Sequence, residues 1–178
     1  MATRGLLAFA GCEGNTLILT TTPNKRVVWF GVGPGTEKRG RNMSTFLLIH
    51  GGWHGGWCWD KVKPLLEAEG HTVMAPDLPG HGDDTTPISE VSMDLYARAT
   101  VEFAAQALEP VIVVGHSMTG LSNSQAVEYA PEKFKAQVFM AAFLLSNGQC
   151  LLDQARPDTE NLVLRNLTFS EDQSQMTF

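Results

Sequence analysis

The sequence predicts an α/β protein: a parallel sheet with helices on both faces. Three observations carry that prediction. From about residue 44 onward, short continuous apolar runs alternate with longer stretches of helical periodicity. Continuous apolar runs are characteristic of strands buried on both faces. Two of these runs end in glycine-bearing turns, at 50–56 and 115–120, and open parallel sheets bind ligands at the carboxyl ends of their strands.

Residues 1–43 read as a poorly ordered basic extension ahead of the core. They hold six Lys or Arg and two Asp or Glu, whereas 44–178 hold seven and seventeen. Within the extension, 17–19 and 27–30 have the apolar character of short strands. The glycines at 31, 33 and 35 lead into a flexible basic connector, 36–41. They do not form a phosphate loop, because no amphipathic helix follows them. The apolar stretch at 6–12 falls short of a signal-peptide core. Met43 marks the expected start of the core.

The core opens with a strand over 45–49. It runs into His50-Gly51-Gly52-Trp53-His54-Gly55-Gly56-Trp57, a loop with four glycines that lets backbone approach a ligand. A helix follows, with Val62, Leu65 and Leu66 as its apolar stripe, Pro64 in its first turn and Gly70 as its stop. A second strand spans 72–75 and gives way to a loop through residue 89. The next helix, 93–108, carries Leu95, Ala99, Val101, Phe103 and Leu108 on its apolar side. The third strand covers 111–114, a helix covers 121–129 until Pro131 ends it, and the fourth strand covers 136–142. Beyond Leu144 the chain turns polar and no further strand is expected. That leaves 138–142 as an unpaired apolar edge, open to self-association.

Composition narrows the function. The chain has 178 residues, 43% hydrophobic and 18% charged, which suits one globular core. A net charge of −6 and a pI near 5.3 argue against a nucleic-acid partner. No apolar run reaches the ~18 residues of a membrane span, so no membrane partner is expected. Cys12, Cys58 and Cys150 form no C-x-x-C pair, which points to a reducing, cytoplasmic compartment and to no metal site. Cys58 sits between tryptophans and reads as core. Asp77, Asp83 and Asp84 with His81 read as a loop after a strand, not a metal cluster. No cofactor is expected.

The chemistry centres on Val111-Ile112-Val113-Val114-Gly115-His116-Ser117-Met118-Thr119-Gly120. A buried strand meets a sharp turn and then a helix, with a hydroxyl at the apex. Such a turn strains the serine's backbone and exposes its Oγ at the sheet's carboxyl edge. The usual pattern is G-x-S-x-G, and here Thr119 stands at the last glycine. Its β-branched side chain is expected to overpack the closest strand–helix contact, at about 1–3 kcal/mol.

Together with the loop at 49–57, the segments Lys63-Pro64-Leu65-Leu66-Glu67-Ala68, Gly70-His71, Asp77-Leu78, Gly115-His116-Ser117 and Val138-Phe139-Met140-Ala141-Ala142-Phe143 make the chain recognisable. From about residue 43 to 148 it resembles the α/β-hydrolase superfamily, and within it the methyl-esterase and hydroxynitrile-lyase group and its bacterial relatives. The resemblance implies a partial α/β-hydrolase fold that lacks the last strands and ends in the start of a lid region. It implies Ser117 as nucleophile for a small-molecule ester, with the amides of Gly52 and Met118 as oxyanion donors. Trp53 and Phe143 fall where the family lines its substrate pocket.

A serine hydroxyl needs a base to take its proton. In this fold the acid and then the histidine follow the serine in sequence. All five histidines here (His50, His54, His71, His81 and His116) precede Ser117. Of them, His54 in the mouth loop is the least implausible substitute, although a loop histidine bonded to backbone is the favoured reading. The expectation is therefore a carboxylic ester hydrolase core that is weak or inactive. The alternatives are a non-catalytic small-molecule-binding module and a fragment completed by another chain.

Overall fold

A computed structural model of the chain describes residues 43–155, together with 7–9, 17–19, 157–158, 160, 162–171 and 176–177. The chain divides into two compact units, Met1–Gly40 and Arg41–Phe178. In the first, β1 (Leu7–Phe9) and β2 (Leu17–Leu19) form an antiparallel ladder with Leu7 opposite Leu19. The strand expected at 17–19 is present, and its partner lies where the sequence predicts none. The strand expected at 27–30, the connector, and the order of the rest of the extension fall outside the described residues.

The second unit is built on a four-stranded sheet of β3 (Thr45–Ile49), β4 (Thr72–Met74), β5 (Val111–His116) and β6 (Phe134–Met140). The order is β4-β3-β5-β6, and every pairing is parallel. Alternation along the strands sorts side chains to two faces. Leu47, Ile49, Val111 and Val113 pack on one face with Tyr96, Ala104 and Val127, from α2 (Met93–Ala105) and α3 (Thr119–Tyr129). Leu48, Val73 and Val114 pack on the other with Trp59 and Leu66, from a 3-10 turn at Gly56–Trp59 and α1 (Lys63–Ala68). Helices thus cover both faces, as the apolar runs predict.

Local chemistry sets the helix ends. Ser92 Oγ accepts the Leu95 N–H at 3.1 Å and caps α2, with Asp94 in the first turn. Gly70, at φ +91°, stops α1 as expected, and the His71 N–H returns to the Leu66 carbonyl at 3.2 Å. Pro64 lies in that helix's first turn.

Several expectations need correction. Helix α2 ends at Ala105, and Leu108 lies beyond it, fully exposed. Of the expected side, Ala99 is buried and Phe103 packs against the core, and Tyr96, Ala97, Thr100 and Ala104 are buried with them. In α1 the stripe reduces to Leu66, since Leu65 is 69% exposed. Strand β6 ends two residues early, because Ala141 adopts a left-handed backbone, φ 45°. After Leu144 the chain forms α4 (Leu151–Ala155), α5 (Leu162–Asn166) and a two-residue ladder of β7 (Thr168–Phe169) with β8 (Met176–Thr177). Elements this short carry too few residues for a period to be read.

Candidate active site

Three non-glycine residues among those described have left-handed backbone: Trp53 at φ 61°, Ser117 at φ 59° and Ala141 at φ 45°. Each follows a neighbouring strand at its carboxyl end, β3, β5 and β6 respectively. Such conformations cost of order 1–3 kcal/mol each and persist only where surroundings over-determine them. The strain therefore marks one edge of the sheet.

Ser117 is held from both sides. Its carbonyl accepts the Gly120 N–H at 3.3 Å and the Phe143 N–H at 3.0 Å. On the β3 side, a Cβ placed at Gly51 would lie 2.8 Å from His116 Nδ1 and 2.9 Å from Ser117 Cβ. On the β6 side, a Cβ at Gly120 would lie 2.1 Å from the Phe143 carbonyl oxygen. Only glycine fits either place.

Thr119 corrects an expectation. It is fully buried, yet the tightest approach falls at Gly120, one residue on. The Thr119 hydroxyl is also used: Oγ1 donates toward the His116 carbonyl at 2.9 Å, with the Ile49 carbonyl at 3.4 Å. Threonine at this position ties the start of α3 to β5 and does not overpack it.

The mouth loop sits against the same turn. A Cβ at Gly52 would meet Met118 Sδ at 3.8 Å, so Gly52 and Met118 are neighbours. Met118 caps the start of α3, where the Gly120 and Leu121 amides bond the Ser117 and Met118 carbonyls. Trp53 is 40% exposed and Phe143 is half-buried.

The loop over 50–56 is pinned by the one after β4. Asp77 Oδ1 accepts the Gly56 N–H at 2.6 Å and Oδ2 accepts the Asp83 N–H at 3.0 Å. Those two amides, Asp83's first, hold the Asp77 carboxyl below the usual carboxylate range. His81 Nδ1–H donates to the His54 carbonyl at 3.1 Å, and its Nε2 accepts the Tyr96 hydroxyl at 2.8 Å. Asp84 accepts the Gly80 and Thr86 amides. The carboxylates of Asp77 and Asp84 thus serve backbone. Sequence reasoning missed the clamp of Asp77, His81 and Tyr96 on the mouth loop. The available signal was Asp77 after a strand, followed by Gly80 and Gly82.

His50 is fully buried, and burial pushes its pKa below the ordinary imidazole value. His116 is lowered too, by burial and then by His54, whose ring stands 5.8 Å away. His54 Nδ1–H donates to the Gly52 carbonyl at 2.6 Å, and its ring tilts against Trp57. His71 Nδ1 accepts the Ser44 N–H at 3.2 Å. Among the described residues no histidine hydrogen-bonds the Ser117 Oγ. Cys58 packs with the second core cluster, and burial raises its thiol.

The chain's likeness to known proteins agrees with this geometry. A profile of the alpha/beta hydrolase family matches residues 46–174. Salicylic acid-binding protein 2 of Nicotiana tabacum is 44% identical over 115 residues, 61% of this chain and 44% of that protein. Methylesterase 1 of Arabidopsis thaliana is 41% identical over 129 residues, 70% of this chain and 43% of that protein. The crystal structure of polyneuridine aldehyde esterase superposes with a TM-score of 0.64 at 32% identity, covering 76% of this chain and 57% of that one. A variant of the pyrethroid hydrolase PytH gives a TM-score of 0.66 at 31% identity, covering 76% and 56%. The chain spans less than half the length of these two curated relatives. On the matched residues and the parallel sheet, the chain belongs to the alpha/beta hydrolase family and resembles its methylesterases.

Proposed function

We propose that this chain carries the nucleophile and oxyanion site of a carboxylic ester hydrolase. Ser117 Oγ attacks the ester carbonyl, and the amides of Gly52 and Met118 receive the negative charge on its oxygen. The C–O bond to the alcohol then breaks, and the alcohol leaves with the serine's proton. Water adds to the acyl-serine, releases the acid and restores the hydroxyl. Each aimed amide lowers the barrier by roughly 3–4 kcal/mol.

The observation that carries this reading is the left-handed Ser117, lodged between Gly51 and Phe143 at the end of β5. The relatives' names add support, several being methylesterases. Trp53 of the mouth loop and Phe143, whose amide bonds the Ser117 carbonyl, are the residues we assign to an apolar acyl or alcohol group. Among the described residues no histidine hydrogen-bonds the Ser117 Oγ, so slow turnover by these residues alone is part of the proposal. Oxyanion donors and binding alone leave about 10³–10⁴-fold over water. The odd number of cysteines supports a cytoplasmic setting. Among the described residues no helix is long and apolar enough to cross a membrane.

The test is a burst of p-nitrophenol from a short-chain acyl ester, with a fluorophosphonate probe read by mass at Ser117. Wild type gives both signals and Ser117→Ala gives neither. Equal signals from the two proteins would sink the reading. A second reading, completion of the sheet by another chain, is favoured by the edge position of β6, where Met140 is 43% exposed.

A further inference from the structure

The Gly51–Gly52 peptide must face one way for its N–H to receive charge, yet two successive glycines are the least able to hold a peptide plane by themselves. We infer that His50 is the positioning residue for this peptide: its Nδ1–H, donated to the Gly51 carbonyl, turns the Gly52 N–H toward the acyl site. What the amide is for rests on the ester-hydrolase reading. How it is aimed does not.

The hydrogen bonds around His50 settle its tautomer. Nε2 lies 3.0 Å from the Leu78 amide nitrogen, and Nδ1 lies 2.9 Å from the Gly51 carbonyl oxygen. A backbone N–H only donates, so Nε2 carries the lone pair. A neutral imidazole has one N–H, which is therefore on Nδ1 and bonds Gly51. In a trans peptide the C=O and N–H point in opposite directions, and the described chain has no cis bond. Drawing the Gly51 oxygen toward the His50 ring thus sends the Gly52 N–H away from it. Met118, next to Ser117, is a neighbour of Gly52, 3.8 Å from where a Cβ on that glycine would lie.

The surroundings keep His50 in this state. The ring is fully buried, and Leu78 is fully buried too. The His81 ring stands 5.0 Å away at 62°, and Asp77 and His54 are the other titratable groups acting on it. His81 is itself fixed between Tyr96 and the His54 carbonyl. A second proton on His50 would set an N–H against the Leu78 N–H, so the ring stays neutral. The next peptide is treated alike, since His54 holds the Gly52 carbonyl.

Two replacements separate positioning from mere packing. Asn places its amide nitrogen near the position of Nδ1 and keeps a donor for Gly51. Gln reaches the position of Nε2 and keeps only the Leu78 contact. In His50→Gln, fluorophosphonate labelling of Ser117 should slow by about 10²–10³-fold, the effect of losing one oxyanion donor. His50→Asn should slow at least tenfold less. The Gly52 amide signal in NMR should broaden or split in His50→Gln and remain single in His50→Asn. Equal losses in the two variants, or a Gly52 signal that ignores both, would overturn the inference.

If neither variant folds, long-range ¹⁵N–¹H correlation on the unmodified chain decides. At pH 7.5 a His50 proton on Nδ1 supports the inference, and one on Nε2 or on both nitrogens overturns it. A chain whose Ser117 never labels would defeat the hydrolase reading and leave the tautomer and Gly52 measurements to judge His50.

Discussion

Replacing Gly120 with alanine sets two physical effects against each other. Gly120 lies in the first turn of α3, and glycine to alanine favours a helix by about 1 kcal/mol. The new Cβ would lie 2.1 Å from the Phe143 carbonyl oxygen and 3.1 Å from Ala142 Cβ. Carbon and carbonyl oxygen normally meet at ~3.3 Å, so the two backbones must part by roughly 1 Å. The obstacle is backbone and cannot swing aside as a side chain would. Parting also weakens the Phe143 N–H bond to the Ser117 carbonyl, worth about 0.5–1.5 kcal/mol. Overpacking adds about 1–3 kcal/mol. The net expectation is a loss of about 2 kcal/mol. Urea unfolding followed by tryptophan fluorescence should show the midpoint fall by about 1 M with the slope unchanged. Labelling of Ser117 should slow in the same variant, because its support from β6 is lost. A midpoint that rises, as helix propensity alone requires, would refute the packing account of the turn.

Other outcomes follow from the same geometry. Thr119→Val, which removes the hydroxyl and keeps the volume, should lower stability by about 1 kcal/mol in urea unfolding; an unchanged midpoint would mean that the bond to the His116 carbonyl does nothing. Stability should fall as pH drops below ~6.5, because unfolded imidazoles take up protons that His50 and His116 resist when folded, and this loss should level off below their folded values. A second loss should begin below pH ~4, where the unfolded Asp77 takes up a proton before the folded one, and a flat profile from pH 7 to 5 would contradict the buried histidines. The edge of β6 should make the chain self-associate with rising concentration in light scattering, and Met140→Lys should reduce it; a clean monomer at high concentration would remove that surface from consideration.

The sheet was legible because its strands are continuous apolar runs. The sequence at 45–49 and 111–114 has no competing period, and both segments lie where expected. The turn at Ser117 was legible because few arrangements place Gly, Ser and Gly within six residues after such a run. Ends were less clear. Leu108 looked like part of a helical face, but the helix stops at Ala105, and no period reveals where a helix frays. Thr119 was misread because spacing shows that a bulky residue replaces glycine, not which neighbouring carbonyls receive its hydroxyl. The ties from Asp77, His81 and Tyr96 to the mouth loop were illegible for a similar reason. Asp77 and His81 reach the loop through one amide and one carbonyl, 21 and 27 residues away, and Tyr96 holds His81 by its hydroxyl; no periodicity records such bonds.

The three left-handed residues bind these observations together. Each costs of order 1–3 kcal/mol, against a total stability of about 5–15 kcal/mol for a domain. Together they survive only if each is held by something already in place. Ser117 is held by the Phe143 amide and by contact with Gly51. Trp53 lies between carbonyls fixed by histidines, since His54 holds the Gly52 oxygen and His81 holds that of His54. Ala141 ends β6 two residues before the Phe143 amide that reaches Ser117. These supports connect because β3 and β6 flank β5 in the sheet. A different strand order would separate the mouth loop from the serine and leave the strain without a holder. The elements that would receive negative charge are therefore a property of three adjacent strands. Removing the serine's proton makes a different demand: His50 and His81 have both ring nitrogens hydrogen-bonded, and among the described residues no histidine hydrogen-bonds the Ser117 Oγ. On the ester-hydrolase reading proposed above, these residues would serve oxyanion stabilisation before alkoxide formation. On that ground, acylation by an activated ester with a good leaving group should outrun turnover of a simple methyl ester.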